Sequence, residues 1–257
     1  MLLALVNGRR STPAPRLRGL CPVCGTATVA KCGSRKSWHW AHLRPVKCDP
    51  WWENETDWHR AWKAHFPEDW QEVLHVDQAS GERHIADVKT ALGLVIEFQH
   101  SQMSLEELRA REAFYGHMIW IVDGTPFASN FEVDRDPLPH PESRLLDEIV
   151  FPSGLAGAYF KRSDIERGGS SLFELHRAEA IRSRILEEYR GHHLYRWKRA
   201  RSVWLQASAP VFIDFGSSEL HRLSRYVPPN SHCVQRVSKA ALITKNGGQV
   251  VAKHSEA

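Results

Sequence analysis

No apolar run in this chain of 257 residues approaches the length needed to cross a membrane. The opening Met1-Leu2-Leu3-Ala4-Leu5-Val6 is broken by Asn7-Gly8-Arg9-Arg10, too soon for a signal peptide, and the sequence predicts a cytoplasmic protein. Internal repeats and long low-complexity segments are also missing, so neither a repeat array nor a disordered chain is expected. Acids are nearly missing from the first fifty residues. Nine Lys or Arg there face only Asp49, a local charge of +8, which against the chain's +4 leaves −4 for the other 207 residues. Cysteine is scarce, five in all, and four lie between Cys21 and Cys48. That grouping suits a metal site better than a disulfide framework.

What is present is ordinary for a globular protein, with 42% hydrophobic and 25% charged residues, enough for one large core or two modest domains. A basic module beside an acidic body is the charge distribution of a protein that holds a polyanion near bound cations. A solvated basic tail would give the same balance.

Residues 7 to 19 read as an extended leading segment, followed by a cysteine module from Leu20 to Cys48. Trp51 to Phe66 reads as a helix capped by Asn54 or Thr56 and stopped by Pro67. Strands follow at Trp70 to Val76, Arg83 to Lys89 and Leu94 to Gln99, then a helix from Ser104 to Gly116 with Glu107 at the capping-box position, and a buried strand from Met118 to Val122. Beyond Asp123 the expectations are a loop at Asp134 to Glu142, helix over most of Leu172 to Arg201, a strand pair at Val203 to Ala207 and Val211 to Phe215, and a mobile tail after Asn246.

Cys21-Pro-Val-Cys24-Gly25 is a knuckle in which two thiolates converge and Gly25 relieves the turn, a strong zinc signal where a second pair exists. His42 and Cys48 are the expected second pair, with His39 and Cys32 as competitors. His39 and His42 face opposite ways on a strand. Four protein ligands would close the shell and make the ion structural.

The segment Glu82 to Gln99 is a hairpin turning at Ala91-Leu92-Gly93. Alternation puts Glu97 and Gln99 on one face, and the antiparallel partner brings Asp87 beside them. The apolar run Leu94-Val95-Ile96 marks a strand buried on both faces, where an unpaired Glu is costly, so the two carboxylates call for a cation. Glu55, His59 and Lys63, spaced by four, place an acid, an imidazole and an ammonium in one row along a face of the preceding helix. Exposed ladders of this kind are common, but Trp58, Ala61 and Trp62 cover the neighbouring faces.

The ordered set Cys-x2-Cys, His39-Trp-Ala-His42, Cys48, Glu55-x3-His59, Asp87, Glu97-x-Gln99, Ser101 and Arg111-x3-Tyr115 resembles the competence protein CoiA-like family over residues 20 to 123. The resemblance implies an α/β fold with a restriction-endonuclease-like, PD-(D/E)XK mixed-sheet core. The chain as a whole is expected to divide into a basic zinc-binding module (1–50), a nuclease core (51–135) and a C-terminal α+β extension with a mobile tail (136–257). The same resemblance implies a Mg²⁺- or Mn²⁺-dependent deoxyribonuclease acting on foreign or transforming DNA, in competence and recombination or in phage defence, with a protein partner from such a system. Asp87 and Glu97 would hold the catalytic ion with the Phe98 carbonyl. Gln99, standing where Lys is usual, would orient the attacking water. Glu55 would bind a second ion or accept a proton, His59 would contact the phosphate or leaving oxygen, and Lys63 or Arg111 would clamp the backbone. A zinc-containing DNA-binding module without catalysis is the alternative; a thiol or zinc enzyme and an RNA substrate are further ones. Trp38, Trp40, Trp51 and Trp52 either pack the module against the core or stack on unpaired bases.

Overall fold

The structure, a computed structural model, describes all residues except 35–36, 47, 54, 153–154, 156, 227–230 and 252–257. Asn54, one of the two expected helix caps, falls outside the described residues. The chain folds as two compact units, Met1–Trp120 with Ile243–Ala257, and Ile121–Leu242.

The first unit opens with a five-stranded antiparallel sheet of β1 (Ala4–Val6), β2 (Arg9–Ser11), β3 (Arg18–Leu20), β4 (Ala27–Lys31) and β5 (His39–His42), in the order β2-β1-β3-β4-β5. Residues 7 to 19 are therefore not a plain extended segment. Asn7 and Gly8, at φ 51° and 77°, make the tight turn joining β1 to β2, the conformation an Asn-Gly pair adopts at little cost. Met1, Ala4, Cys21, Val23 and Trp40 form the core of this sheet.

The helix expected from Trp51 to Phe66 is shorter. It runs only over α1 (Asp57–Lys63), because Thr56 is extended (φ −100°, ψ 168°) and its side chain accepts from the His59 amide. Trp51 is held outside the helix by its indole, stacked on His84 at 3.3 Å between ring centroids. Glu55 thus precedes the helix.

Three antiparallel strands follow, β6 (Gln71–Val76), β7 (Arg83–Lys89) and β8 (Val95–Gln99). The β7–β8 turn closes with Gly93 at φ 79°, and all five β8 residues are buried, as the apolar run predicts. α2 (Leu105–Tyr115) starts at Ser104, whose hydroxyl accepts from the Glu107 amide, and ends at Gly116 (φ 63°). It leads to β9 (Met118–Asp123), giving the order β9-β8-β7-β6.

β9 carries the chain into the second unit. There β10 (Phe131–Pro137), β14 (His192–Trp197), β15 (Val211–Asp214), β16 (Glu219–Tyr226) and β17 (Ser231–Ser238) pair antiparallel in the order β10-β14-β17-β16-β15. β11 (Ile149–Val150), β12 (Ala158–Lys161) and β13 (Leu172–Glu174) form a small sheet beside α3 (Arg162–Glu166) and α4 (Glu179–Glu188). Leu138, Leu145, Ile149, Ile185 and Tyr226 belong to its core.

Several expectations fail in this unit. The loop at Asp134 to Glu142 begins as strand, the helix over Leu172 to Arg201 is only α4 between two strands, and Val203 to Ala207 is a 3₁₀ turn. β15 pairs instead with β16. Finally α5 (Lys239–Lys245) returns the chain to the first unit, where the expected mobile tail is tied down as far as Val251. His65 accepts from Gln249 through its carbonyl and from the Val251 amide through Nδ1. Among the described residues no helix is long and apolar enough to cross a membrane.

Candidate functional site

Two clusters of ligand-type side chains stand in the first unit. The first grows from the knuckle: the Cys21 amide donates to the Thr26 carbonyl at 2.8 Å and the Gly25 amide to the Cys21 carbonyl at 2.9 Å, with Gly25 at φ 69°. β4 and β5 bring His42 back over it, paired with Thr28. Cys48 follows a short loop. Cys21 Sγ and Cys48 Sγ lie 3.8 Å apart, Cys24 Sγ is 3.5 Å and Cys48 Sγ 3.6 Å from His42 Nε2, and the four ligand atoms all fall within 4.8 Å of one another. Such a cluster can hold a metal ion. His39 is turned to the Ser37 carbonyl instead, at 2.9 Å, and Cys32 is outside the group.

The second cluster lines a cavity of about 60 Å³. Continuing the β7–β8 register from the Val88–Ile96 and Lys89–Val95 pairs sets Asp87 opposite Glu97, and there the side chains replace the ladder. Glu97 Oε1 accepts from the Asp87 amide at 3.1 Å, while Asp87 Oδ2 accepts from the Phe98 amide at 2.9 Å. α1 supplies Lys63, whose Nζ is 3.0 Å from Asp87, 3.2 Å from Glu55 and 3.4 Å from Glu72. α2 supplies Arg111, 3.2 Å from Glu97 and paired also with Glu107.

Both ring nitrogens of His59 are engaged. Nδ1 meets the Thr56 amide and hydroxyl at 3.3 and 2.8 Å, so Nε2 carries the proton and donates to the Phe98 carbonyl at 3.0 Å. Burial holds this imidazole below its ordinary pKa. It joins α1 to β8 as a neutral group and has no free nitrogen with which to act as an acid. Burial and the neighbouring Asp87 charge push the Glu97 carboxyl up to about 8, although Arg111 opposes this. Burial also acts against Asp87, but Lys63 and the Phe98 amide outweigh it and hold that carboxyl below the usual range. Of the pair, Asp87 carries the charge and Glu97 keeps the proton more readily.

The structure thus brings Asp87, Glu97, Glu55, His59, Gln99, Lys63 and Arg111 around one cavity. Glu55 reaches it from the extended segment before α1. Gln99 is buried, with its amide nitrogen donating to Glu53 and, at 3.1 Å, to Ser101. Sequence reasoning missed Glu53, Glu72 and His100. Glu72 sits in β6 at φ 46° and accepts from the amides of Leu2 and Leu3, a tertiary role with no local signature. Glu53 stood in a presumed helix whose unwinding turns it inward. Trp40 is 1% exposed and packs in the core, whereas Trp38 and Trp52 are 46% and 48% exposed.

No family model matches this sequence, and no curated protein or solved structure matches it.

Proposed function

We propose that this chain is a metal-dependent nuclease acting on DNA, with a PD-(D/E)XK-like core and a zinc-stabilised basic module. The observation that carries the reading is a cluster of carboxylates inside the cavity. Glu55, Glu72, Asp87 and Glu97 converge on two side-chain cations, Lys63 and Arg111, while Arg60 and Glu107 at the rim offset each other. The Met1 amino group also faces Glu72 and Glu55, and Glu97 keeps its proton readily, so a divalent cation would bind beside Asp87 by displacing that proton.

Asp87 and Glu97 would hold Mg²⁺ or Mn²⁺, which would activate water and offset charge on the phosphate. Their oxygens fit that task although each is already engaged, because a carboxylate oxygen offers a second lone pair. Asp87 is the more open of the two, its side chain 22% exposed against 5% for Glu97, so phosphate would approach from its side. Lys63 supplies from α1 the ammonium that Gln99 does not supply from β8. Gln99 holds Glu53 in place, and His59 fixes the backbone at Phe98, next to Glu97.

For the cysteine cluster the reading is zinc. A tetrahedral ion with bonds of about 2.3 Å to sulfur and 2.0 Å to nitrogen separates its ligands by about 3.8 Å (S to S) and 3.5 Å (S to N). The 3.8 Å Cys21–Cys48 and 3.5 Å Cys24–His42 separations meet that requirement. The charge of +8 on the first fifty residues suits a DNA backbone.

One observation favours a second reading, a DNA-binding module without catalysis: Lys63 and Arg111 already compensate the two acids most needed for an ion. Cleavage of linear and circular, single- and double-stranded DNA by wild type and Asp87→Ala, with Mg²⁺, Mn²⁺ or EDTA, separates them. The nuclease reading expects cleavage that EDTA and the substitution both abolish. DNA retention by both proteins with no cutting in any metal would establish the binding module instead.

A further inference from the structure

Beside the carboxylate pair stands a ligand set of different chemistry, and we propose that Glu53, His100 and His59 form a separate site for a transition-metal dication. The ligand atoms of the three residues lie within 4.8 Å of one another. Glu53 comes from the segment before α1, His59 from α1 and His100 from the residue after β8, so three pieces of chain converge.

The Glu53 carboxylate is split in function. Oε1 is fixed by the Gln99 amide nitrogen and the Ser101 hydroxyl. Oε2 lies 3.0 Å from His100 Nδ1, yet no hydrogen bond joins them; both atoms are buried and have no hydrogen-bond partner among the described residues. A buried carboxylate oxygen and imidazole nitrogen at this distance call for a cation, either a proton on the ring or a metal ion between them, and the third ligand-type side chain beside them favours the metal. Ligands at right angles on an octahedral ion with bonds near 2.1 Å are separated by about 3 Å, and Glu53 Oε2 and His100 Nδ1 stand at that spacing. The His59 and His100 rings meet edge to face at 4.8 Å between centroids. His59 completes the set by freeing one ring nitrogen from its partners, the Thr56 amide and hydroxyl on Nδ1 or the Phe98 carbonyl on Nε2.

The donor chemistry selects the ion. One carboxylate with two imidazoles favours Mn²⁺, Fe²⁺, Co²⁺ or Zn²⁺ and disfavours Mg²⁺, which prefers oxygen. Gln99 and Ser101 serve as the outer shell that orients the carboxylate. The site does not depend on the nuclease reading. If that reading holds as well, this is its second ion, one residue beyond Gln99.

Co²⁺ binding tests it. Full-length protein carrying its zinc is titrated with Co²⁺ in excess Mg²⁺, following the visible d–d absorption and the charge-transfer absorption that thiolate ligands would add. The expected result is one equivalent bound without thiolate charge transfer, retained in Asp87→Asn and weakened at least about tenfold in Glu53→Gln and in His100→Asn. Zinc content and thermal melting of each variant establish that it is folded. His100→Asn, at a side chain 27% exposed, provides the second variant should Glu53→Gln fold poorly. Co²⁺ binding unchanged in both folded variants, lost in Asp87→Asn, or accompanied by thiolate charge transfer would overturn the assignment.

Discussion

The cysteine cluster and the carboxylate cavity lie in one folded unit, but they solve opposite electrostatic problems. The first is local. Cys21, Cys24, His42 and Cys48 fall within 28 consecutive residues, are placed by one knuckle and the β4–β5 pairing, and would together fill a tetrahedral shell. The second is assembled from the pre-α1 segment, α1, β6, β7, β8 and α2, and carries its own cations. A closed soft-ligand cluster makes an ion part of the fold, whereas a carboxylate cavity with fixed counter-charges can stand without one and still attract one.

The largest effect is expected at the cluster. Structural zinc in small modules contributes on the order of 10 kcal/mol to folding, and the core of the five-stranded sheet includes Cys21 itself. Cys21→Ser, or prolonged chelation, is expected to unfold β1 to β5 and expose Trp40, which tryptophan fluorescence and limited proteolysis will report. A Cys21→Ser protein that melts as untreated wild type does, or wild type whose melting chelation leaves unchanged, would show that no ion supports this sheet.

Next comes Lys63. Its ammonium is 4% exposed among three carboxylates, and removing one partner of a buried ion cluster costs about 3–5 kcal/mol. Lys63→Met is expected to lose that much by urea denaturation, and Lys63→Met with Asp87→Asn to recover part of it, since the stranded charge is removed. Additive losses would mean that the two groups do not share an electrostatic cluster.

A smaller effect follows from pH in metal-free protein. The Glu97 carboxyl is raised from 4.5 to about 8 in the fold. Its favourable contribution is complete below the unfolded value and is lost as pH climbs through the folded one. Asp87, held low by Lys63, contributes in the opposite sense and is lost only as pH falls into the acid range. Between about pH 5 and 8 the melting temperature is therefore expected to fall, and Glu97→Gln to flatten that slope. Mn²⁺ should flatten it as well under the nuclease reading, because the ion favours the ionised form. A wild-type slope that survives Glu97→Gln would assign it to other groups.

The limits of sequence reading follow the same division. Hairpin parity and apolar runs made β7, β8, α2 and β9 legible, and with them the placement of Asp87 opposite Glu97. Ligand spacing made the cysteine cluster legible, because its geometry is built within a few residues. Lys63 was visible as a cation but not as the partner of Asp87, since that pairing needs α1 laid across the sheet. Glu53 and Glu72 were hidden because each depends on a local departure from regular structure, an unwound helix start and a positive φ on a non-glycine residue. In the second unit, charge and apolar spacing over 172–201 resembled helix, yet pairing with β10 and β17 took His192–Trp197 into the sheet. Long-range pairing of this kind overrides local propensity.

The smallest expected effect is the sharpest test of which residues belong to the cluster. Cys32 sits one residue beyond β4, in the same sequence neighbourhood as the four ligands, and competes with them on spacing alone. In the fold it is half-buried and outside the group, while His42 Nε2 stands between Cys24 and Cys48 at 3.5 and 3.6 Å. Thiolate is a good zinc ligand, so a flexible module would recruit Cys32 when His42 is lost; a module whose β4–β5 pairing fixes the donors would not. Cys32→Ser is therefore expected to leave zinc content unchanged and to shift stability by no more than about 0.5 kcal/mol. His42→Ala is expected to release the ion even with Cys32 present. Zinc retained in His42→Ala and lost in the double variant would mean that the cluster adapts to its ligands and does not select them.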